Sequence, residues 1–275
     1  MPPGTAMVEL ADVVVSFPTN DGGDYTAVSD IHLQVEAGTF LSVAGPTGCG
    51  KSTLLNAVAG LVAPTGGQVL IDGQPLRGLN DRVGYLFQQE ALLPWKNVLD
   101  NVAFGLQLRG VGKAEREERA REWIWRVGLS GFERAYPHQL SGGMRKRAAV
   151  AQTWLVDPDI LLMDEPFSAL DVQTRQIMEN ELLDLWTGSG KTVIFVTHDL
   201  DEAVSLSDEV VLLSAGPASH IVGRYPIDLP RPRNLMDLRT RPEFTEIYAR
   251  IWADLREEVM KGYERTTANT ADRRR

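Results

Sequence analysis

The stretch FLSVAGPTGCGKST, Phe40 to Thr53, decides the fold. Its first five residues, Phe40 to Ala44, are an apolar run of strand length, and from Lys51 the segment KSTLLNAVAGLV changes to helical spacing. Between strand and helix, Gly45 to Thr53 holds three glycines, one lysine and no carboxylate. Gly45 to Ser52 fits the phosphate-loop pattern G-x-x-x-x-G-K-S/T in the context that pattern needs, after a strand and opening a helix. Glycines let backbone N–H groups close around phosphate oxygens, and the helix N-terminus adds partial positive charge. Lys51 then reaches the β- and γ-phosphates, and the Ser52 hydroxyl is a ligand for Mg²⁺. The nucleotide-contact candidates are therefore Gly45, Pro46, Thr47, Gly48, Cys49, Gly50, Lys51, Ser52 and Thr53. Cys49 reads as a small spacer, with alkylation of a thiol beside the phosphates as the alternative.

Composition limits what else the chain can be. Its 275 residues suit one large domain or one domain with a small satellite, and 43 % hydrophobic with 24 % charged residues is a globular balance. The one cysteine cannot form an internal disulfide, and MPPGTAMVEL lacks the layout of a secretory signal, so a reducing, cytosolic compartment is expected. The longest apolar runs, DILLMD and TVIFVTH, are strand-length, short of the ~18 to 20 residues of a membrane-spanning helix. A net charge of −9 argues against sequence-independent binding to nucleic acid, and the basic end ADRRR is too short to reverse it.

Along the chain, MVELADVVVSF, IHLQVEAGTFLSVAG and GGQVLIDGQPL read as strands and hairpins. Helical spacing takes over near Val98, and roughly 91 to 155 reads as a helical insert. Within it, KAEREERAREWIWRV pairs Glu115 with Arg119, Glu117 with Arg121 and Glu122 with Arg126 at i, i+4. Buried-strand character returns in DILLMDEP and KTVIFVTHD, separated by the helical segment VQTRQIMENELLDLW. After Pro242, the residues Phe244, Ile247, Tyr248, Ile251, Trp252, Leu255 and Val259 fall on one helical face, and 264 to 275 reads as a frayed tail.

A phosphate loop needs a metal-holding carboxylate, and ILLMDEP places Asp164 and Glu165 at the carboxyl end of a buried strand, where ligands of open α/β sheets bind. Asp164 is positioned to hold Mg²⁺ through its water shell, and Glu165 to orient or deprotonate an attacking water. LSGGM, Leu140 to Met144, precedes the helical RKRAAVAQTWL, with Ser141 suited to cap that helix. The phosphate loop, LSGGM, ILLMDEP, SALD and VTHD, in this order and spacing, resemble the ATP-binding cassette (ABC) ATPases over about residues 8 to 225.

The resemblance implies an α/β fold: a P-loop NTPase core with a mixed, mainly parallel sheet, flanking helices and an N-terminal antiparallel β region. It places the core at about 8–90 and 156–225, a helical subdomain at 91–155, and a C-terminal helical extension at 226–263. It implies ATP as substrate, Mg²⁺ as cofactor and a head-to-tail pair of subunits, each ATP meeting Leu140, Ser141, Gly142, Gly143 and Met144 of the other copy. Gln88 in LFQQ matches the glutamine that touches Mg²⁺ and the attacking water, with Gln89 as alternative. Asp171 in SALD matches the D-loop aspartate and His198 in VTHD the switch histidine. Phe17 matches the aromatic residue that stacks on adenine, and Tyr25 competes for that role. Lys146 stands where many relatives have glutamine, and AQTWL replaces a commoner ARAL; neither is expected to touch an assigned catalytic group.

ALLPWKNVLDNV and LPRPRNLMDLRTRPEF resemble the ATPase subunits of bacterial importers for nitrate, sulfonates, taurine and related anions. That implies a peripheral place on the cytoplasmic membrane face, a second ATPase subunit, two transmembrane permease subunits, and an extracellular solute-binding protein acting through them. Trp95 reads either as a contact for a cytoplasmic helix of the permease or as buried within the insert. The alternatives are a non-transport ABC ATPase working on a macromolecular partner and a catalytically silent nucleotide-binding scaffold.

Overall fold

The computed structural model describes residues 6–20, 22–89 and 91–272. Ten strands form two sheets among the described residues. The first is antiparallel, order β2-β1-β4-β5, built from β1 (Ala6–Pro18), β2 (Asp24–Glu36), β4 (Gly66–Ile71) and β5 (Gln74–Pro75). The second contains β3 (Phe40–Ala44), β6 (Val83–Leu86), β7 (Ile160–Asp164), β8 (Thr192–Val196), β9 (Glu209–Leu213) and β10 (Ile221–Pro226). Its order is β10-β9-β3-β8-β7-β6, parallel throughout except for the edge strand β10.

Both faces of the second sheet are covered, which is why β3, β7 and β8 read as unbroken apolar runs rather than alternating ones. Period-two geometry divides their side chains between two cores. Ile160, Leu162, Ile194 and Val196 face α1 (Lys51–Val58) and the antiparallel sheet, packing with Leu54, Val58, Leu10 and Ile31. Leu161, Met163, Val193 and Phe195 face the other way, toward α6 (Val172–Trp186), α7 (Leu200–Leu206) and the helical insert.

The insert comprises α2 (Val98–Val102), α3 (Phe104–Leu108), α4 (Lys113–Arg126) and α5 (Gly142–Leu155). All three charge pairs read from α4 are formed, at 3.7 Å for Glu115–Arg119, 2.9 Å for Glu117–Arg121 and 2.5 Å for Glu122–Arg126. Fully buried Asn101 donates to the carbonyls of Leu93, Lys96 and Asn97, so the loop that carries Trp95 has a fixed shape. Trp95 itself is 71 % exposed, which removes the reading that buries it.

After β10, Arg231 donates to Asp208 and to the carbonyl of Leu206, while Arg233 donates to the carbonyls of Ser205, Ser207, Ile227 and Leu229. These two arginines fasten the segment before α8 (Leu235–Leu238) to the α7–β9 connection. The last helix, α9 (Pro242–Asp272), corrects two expectations. Its backbone stays helical past 264, since neither Gly nor Pro follows Gly262 to stop it. Of the predicted apolar face, Phe244, Ile251 and Leu255 are buried, but Trp252 and Val259 are 47 % and 46 % exposed. The buried place goes instead to Glu258, whose carboxylate accepts a 2.9 Å hydrogen bond from the Ala215 backbone N–H.

Candidate active site

The phosphate loop is narrow at two of its three glycines, Gly45 and Gly50, which have no room for a side chain. Gly50 has φ +91°, and a Cβ there would lie 2.6 Å from Val28 Cγ1 and 3.2 Å from the Ala27 carbonyl. At Gly45 a Cβ would meet Cys49 Sγ at 2.8 Å and the Leu213 carbonyl at 3.0 Å. Lys51 begins α1, is nearly buried, and turns Nζ back onto the carbonyls of Gly45 at 2.9 Å and Pro46 at 3.0 Å. Cys49 is fully buried, and burial pushes its thiol up, with Lys51 opposing. Its burial favours the reading of Cys49 as a small spacer over that of an alkylation site.

Three adjacent parallel strands end at this loop. β3 runs into it, β8 beside β3 ends at Val196, two residues before His198, and β7 beside β8 ends at Asp164, with Glu165 next. Ser52 Oγ donates to Asp164 Oδ1 at 3.0 Å. Burial raises the Asp164 carboxyl above its ordinary value, and the Ser52 hydrogen bond works against that shift. Glu165 adopts φ +43°, a left-handed conformation that costs a residue with a Cβ on the order of 1 kcal/mol and recurs where a side chain must be aimed. Its N–H is fixed on the Val196 carbonyl at 2.9 Å. Its Oε2 lies 3.0 Å from His198 Nδ1 and accepts from Gln88 Nε2 at 3.4 Å. Carboxylate, hydroxyl and amide side chains here form the oxygen-donor set that suits Mg²⁺.

Phe17 and Tyr25 face each other across the β1–β2 ladder, and both line the cleft that contains Gly48 to Thr53, Gln88 and Glu165. The geometry favours neither over the other for the base. Gln88, rather than Gln89, lines the cleft. Among the described residues of that lining, neither Leu140 to Met144 nor Asp171 figures. These segments serve as helix starts: Ser141 caps α5 by accepting from the Met144 N–H at 3.3 Å, and Asp171 caps α6 by accepting from the Thr174 N–H at 3.0 Å.

Two side chains make contacts at the site that the motifs do not specify. Lys146, expected to touch no assigned group, donates from Nζ to the carbonyls of Phe87 at 3.2 Å and Gln88 at 3.1 Å. The available signal was its position on the buried face of α5, one turn before Ala149 and Val150. Arg175, four residues after Asp171, donates to the Leu170 carbonyl at 3.2 Å and to Asp199 at 3.1 Å. It thereby joins the segment before Asp171 to the one after His198.

Comparison with known proteins identifies the family. Residues 28–168 match the family described as ABC transporter. An uncharacterized ABC transporter ATP-binding protein of Methanocaldococcus jannaschii is 52 % identical over 241 residues, 88 % of each chain. The taurine import ATP-binding protein of Escherichia coli is 48 % identical over 211 residues, 77 % of this chain and 82 % of its own. A bacterial ABC transporter cassette solved as a dimer superposes with TM-score 0.73 and 31 % identity, over 82 % of this chain and all of the other. The same kind of cassette in a post-hydrolysis state, bound to ADP and phosphate, gives TM-score 0.72 and 32 % identity, again over 82 % of this chain and all of the other.

Proposed function

The chain belongs to the ABC transporter family and is an ATPase of its cassette type, and from that premise we propose that it couples ATP hydrolysis to import of a small organic anion, a sulfonate such as taurine being the best-supported class. The observation that carries the catalytic part is Glu165, whose Oε2 is shared by His198 and Gln88 at the mouth of the phosphate loop. Likeness to a taurine import ATPase supports the solute class.

Each residue has a role that follows from its place. Phosphate oxygens replace the Gly45 and Pro46 carbonyls as partners of Lys51, while the loop N–H groups and the start of α1 complete the cradle. Ser52, Asp164 and Gln88 would hold Mg²⁺ on the protein side, where the ion would supply neutralisation of charge on the transferring phosphoryl group. Glu165 takes the proton of the attacking water, and Gln88 and His198 hold its carboxylate in one orientation. His198 engages Glu165 through Nδ1 and so has Nε2 left for a γ-phosphate. Ser141 to Gly143 at the start of α5 offer N–H groups to the nucleotide of a second copy, and Phe17 or Tyr25 supplies the stacking surface for adenine.

Among the described residues no helix is long and apolar enough to cross a membrane. Attachment at the cytoplasmic face then falls to permease subunits, for which exposed Trp95 and half-exposed Phe87, beside Gln88, offer apolar contact. The test is purification of the tagged chain from native membranes in detergent. We expect two hydrophobic membrane subunits to accompany it, and its ATPase rate to rise when a solute receptor loaded with a sulfonate is added. Recovery with a ribosomal or nucleic-acid partner and no membrane protein would overturn the importer reading.

A further inference from the structure

Lys146 is 1 % exposed, and its helix α5 opens with the glycines of the LSGGM segment. From there its side chain reaches the end of β6, where Nζ donates to the carbonyls of Phe87 and Gln88 at 3.2 and 3.1 Å. A buried ammonium must keep oxygen partners, because desolvation without them is costly. The backbone of Gln88 is thereby tied to α5. On its other side this segment is braced by the Phe87 ring, stacked on Tyr85 at 4.1 Å, and by Tyr85 Oη donating to Asn56 of α1 at 3.1 Å. The Gln88 side chain then reaches Glu165 Oε2 at 3.4 Å.

We propose that Lys146 is a positioning residue that couples the LSGGM helix to Gln88, so that displacement of α5 is transmitted to the group that orients Glu165. It rests on the reading in which Gln88 and Glu165 act on the attacking water. In a head-to-tail pair, α5 meets the nucleotide held by the other copy, while Gln88 serves its own. Lys146 therefore links the two sites through a single side chain.

The test is a double-mutant cycle on the full chain, measuring kcat and KM for magnesium-ATP. Lys146→Met keeps the length of the side chain and removes its donors. We expect kcat to fall ~10-fold with KM within about twofold, the pattern of a lost transition-state contribution. Lys146→Gln, which restores a shorter N–H donor, should recover a large part of the loss. In a Gln88→Ala background, Lys146→Met should have no further effect. An equal fall with and without Gln88 overturns the coupling while leaving the role of Gln88 intact, and so does unchanged kcat in Lys146→Met. A Gln88→Ala variant with normal kcat removes the role of Gln88 and the proposal with it. Should Lys146→Met not fold, hydrogen exchange of Lys146→Gln reads the same tether. Faster exchange of the amides at 84–89 is expected, and unchanged exchange there overturns the proposal.

Discussion

Lys51 and Glu165 line one cleft and fail differently when altered. Lys51 is the cation that the loop carbonyls hold in place, so its loss acts on the bound triphosphate itself. Lys51→Ala should weaken ATP binding ~10-fold or more, as measured by nucleotide titration, on the scale of one charge-assisted contact. Glu165→Gln keeps the shape and the neighbours of the side chain but gives up the base. Affinity for ATP should be preserved and turnover should fall ~10²- to 10⁴-fold; near-normal turnover would take the role of base away from Glu165. The residues of the cradle were legible because a motif fixes them along the chain. Lys146 was not, since its partners lie 58 and 59 residues away and only the packed fold shows what it touches.

The elements were legible where one physical signal dominates. β3, β7 and β8 announce themselves as apolar runs because both faces are buried, and α4 by its charge pairs. The apolar stripe of α9 was legible only in part. Trp252 and Val259 are exposed, and Glu258 is buried because the Ala215 N–H requires an acceptor there, a demand set by a distant loop. The same holds for α6. Glu179 on that helix is fully buried, 3.1 Å from Arg239. Burial pushes its carboxyl up to about 7 from 4.5; Arg239 and Arg175 pull down, and Glu202 and Asp199 add to the rise. Between those two values the folded chain keeps a proton that the unfolded chain releases, so this group's stabilisation is full below about 4.5 and is lost as pH rises through about 7. Glu179→Gln removes that dependence. In thermal melts from pH 5 to pH 8, the wild type should lose on the order of 1 kcal/mol more than the variant, about 2–4 °C; parallel curves would mean that Glu179 is ionised throughout by its pairing with Arg239.

At the scale of the whole molecule, strand order brings the chemistry together. β8 lies between β3 and β7, so phosphate loop, His198 and Glu165 end on three neighbouring strands although more than 100 residues separate Lys51 from Asp164. Periodicity gives no access to that order; motif sequence does, through the family it resembles. The same fold leaves Ser141 to Gly143 outside the lining of their own cleft, at the start of α5. If a second copy completes each site, a variant that binds ATP without cleaving it should accumulate as a dimer. Glu165→Gln should therefore be monomeric without nucleotide and dimeric with ATP in gel filtration with light scattering. Adding Ser141→Arg places a bulky side chain where the other copy's γ-phosphate would meet α5, without touching the cradle. The double variant should bind ATP with the affinity of Glu165→Gln and remain a monomer. A dimer that survives Ser141→Arg unchanged would mean that the LSGGM tip takes no part in the shared site, and a double variant that loses ATP affinity as a monomer would place that tip in its own chain's cleft.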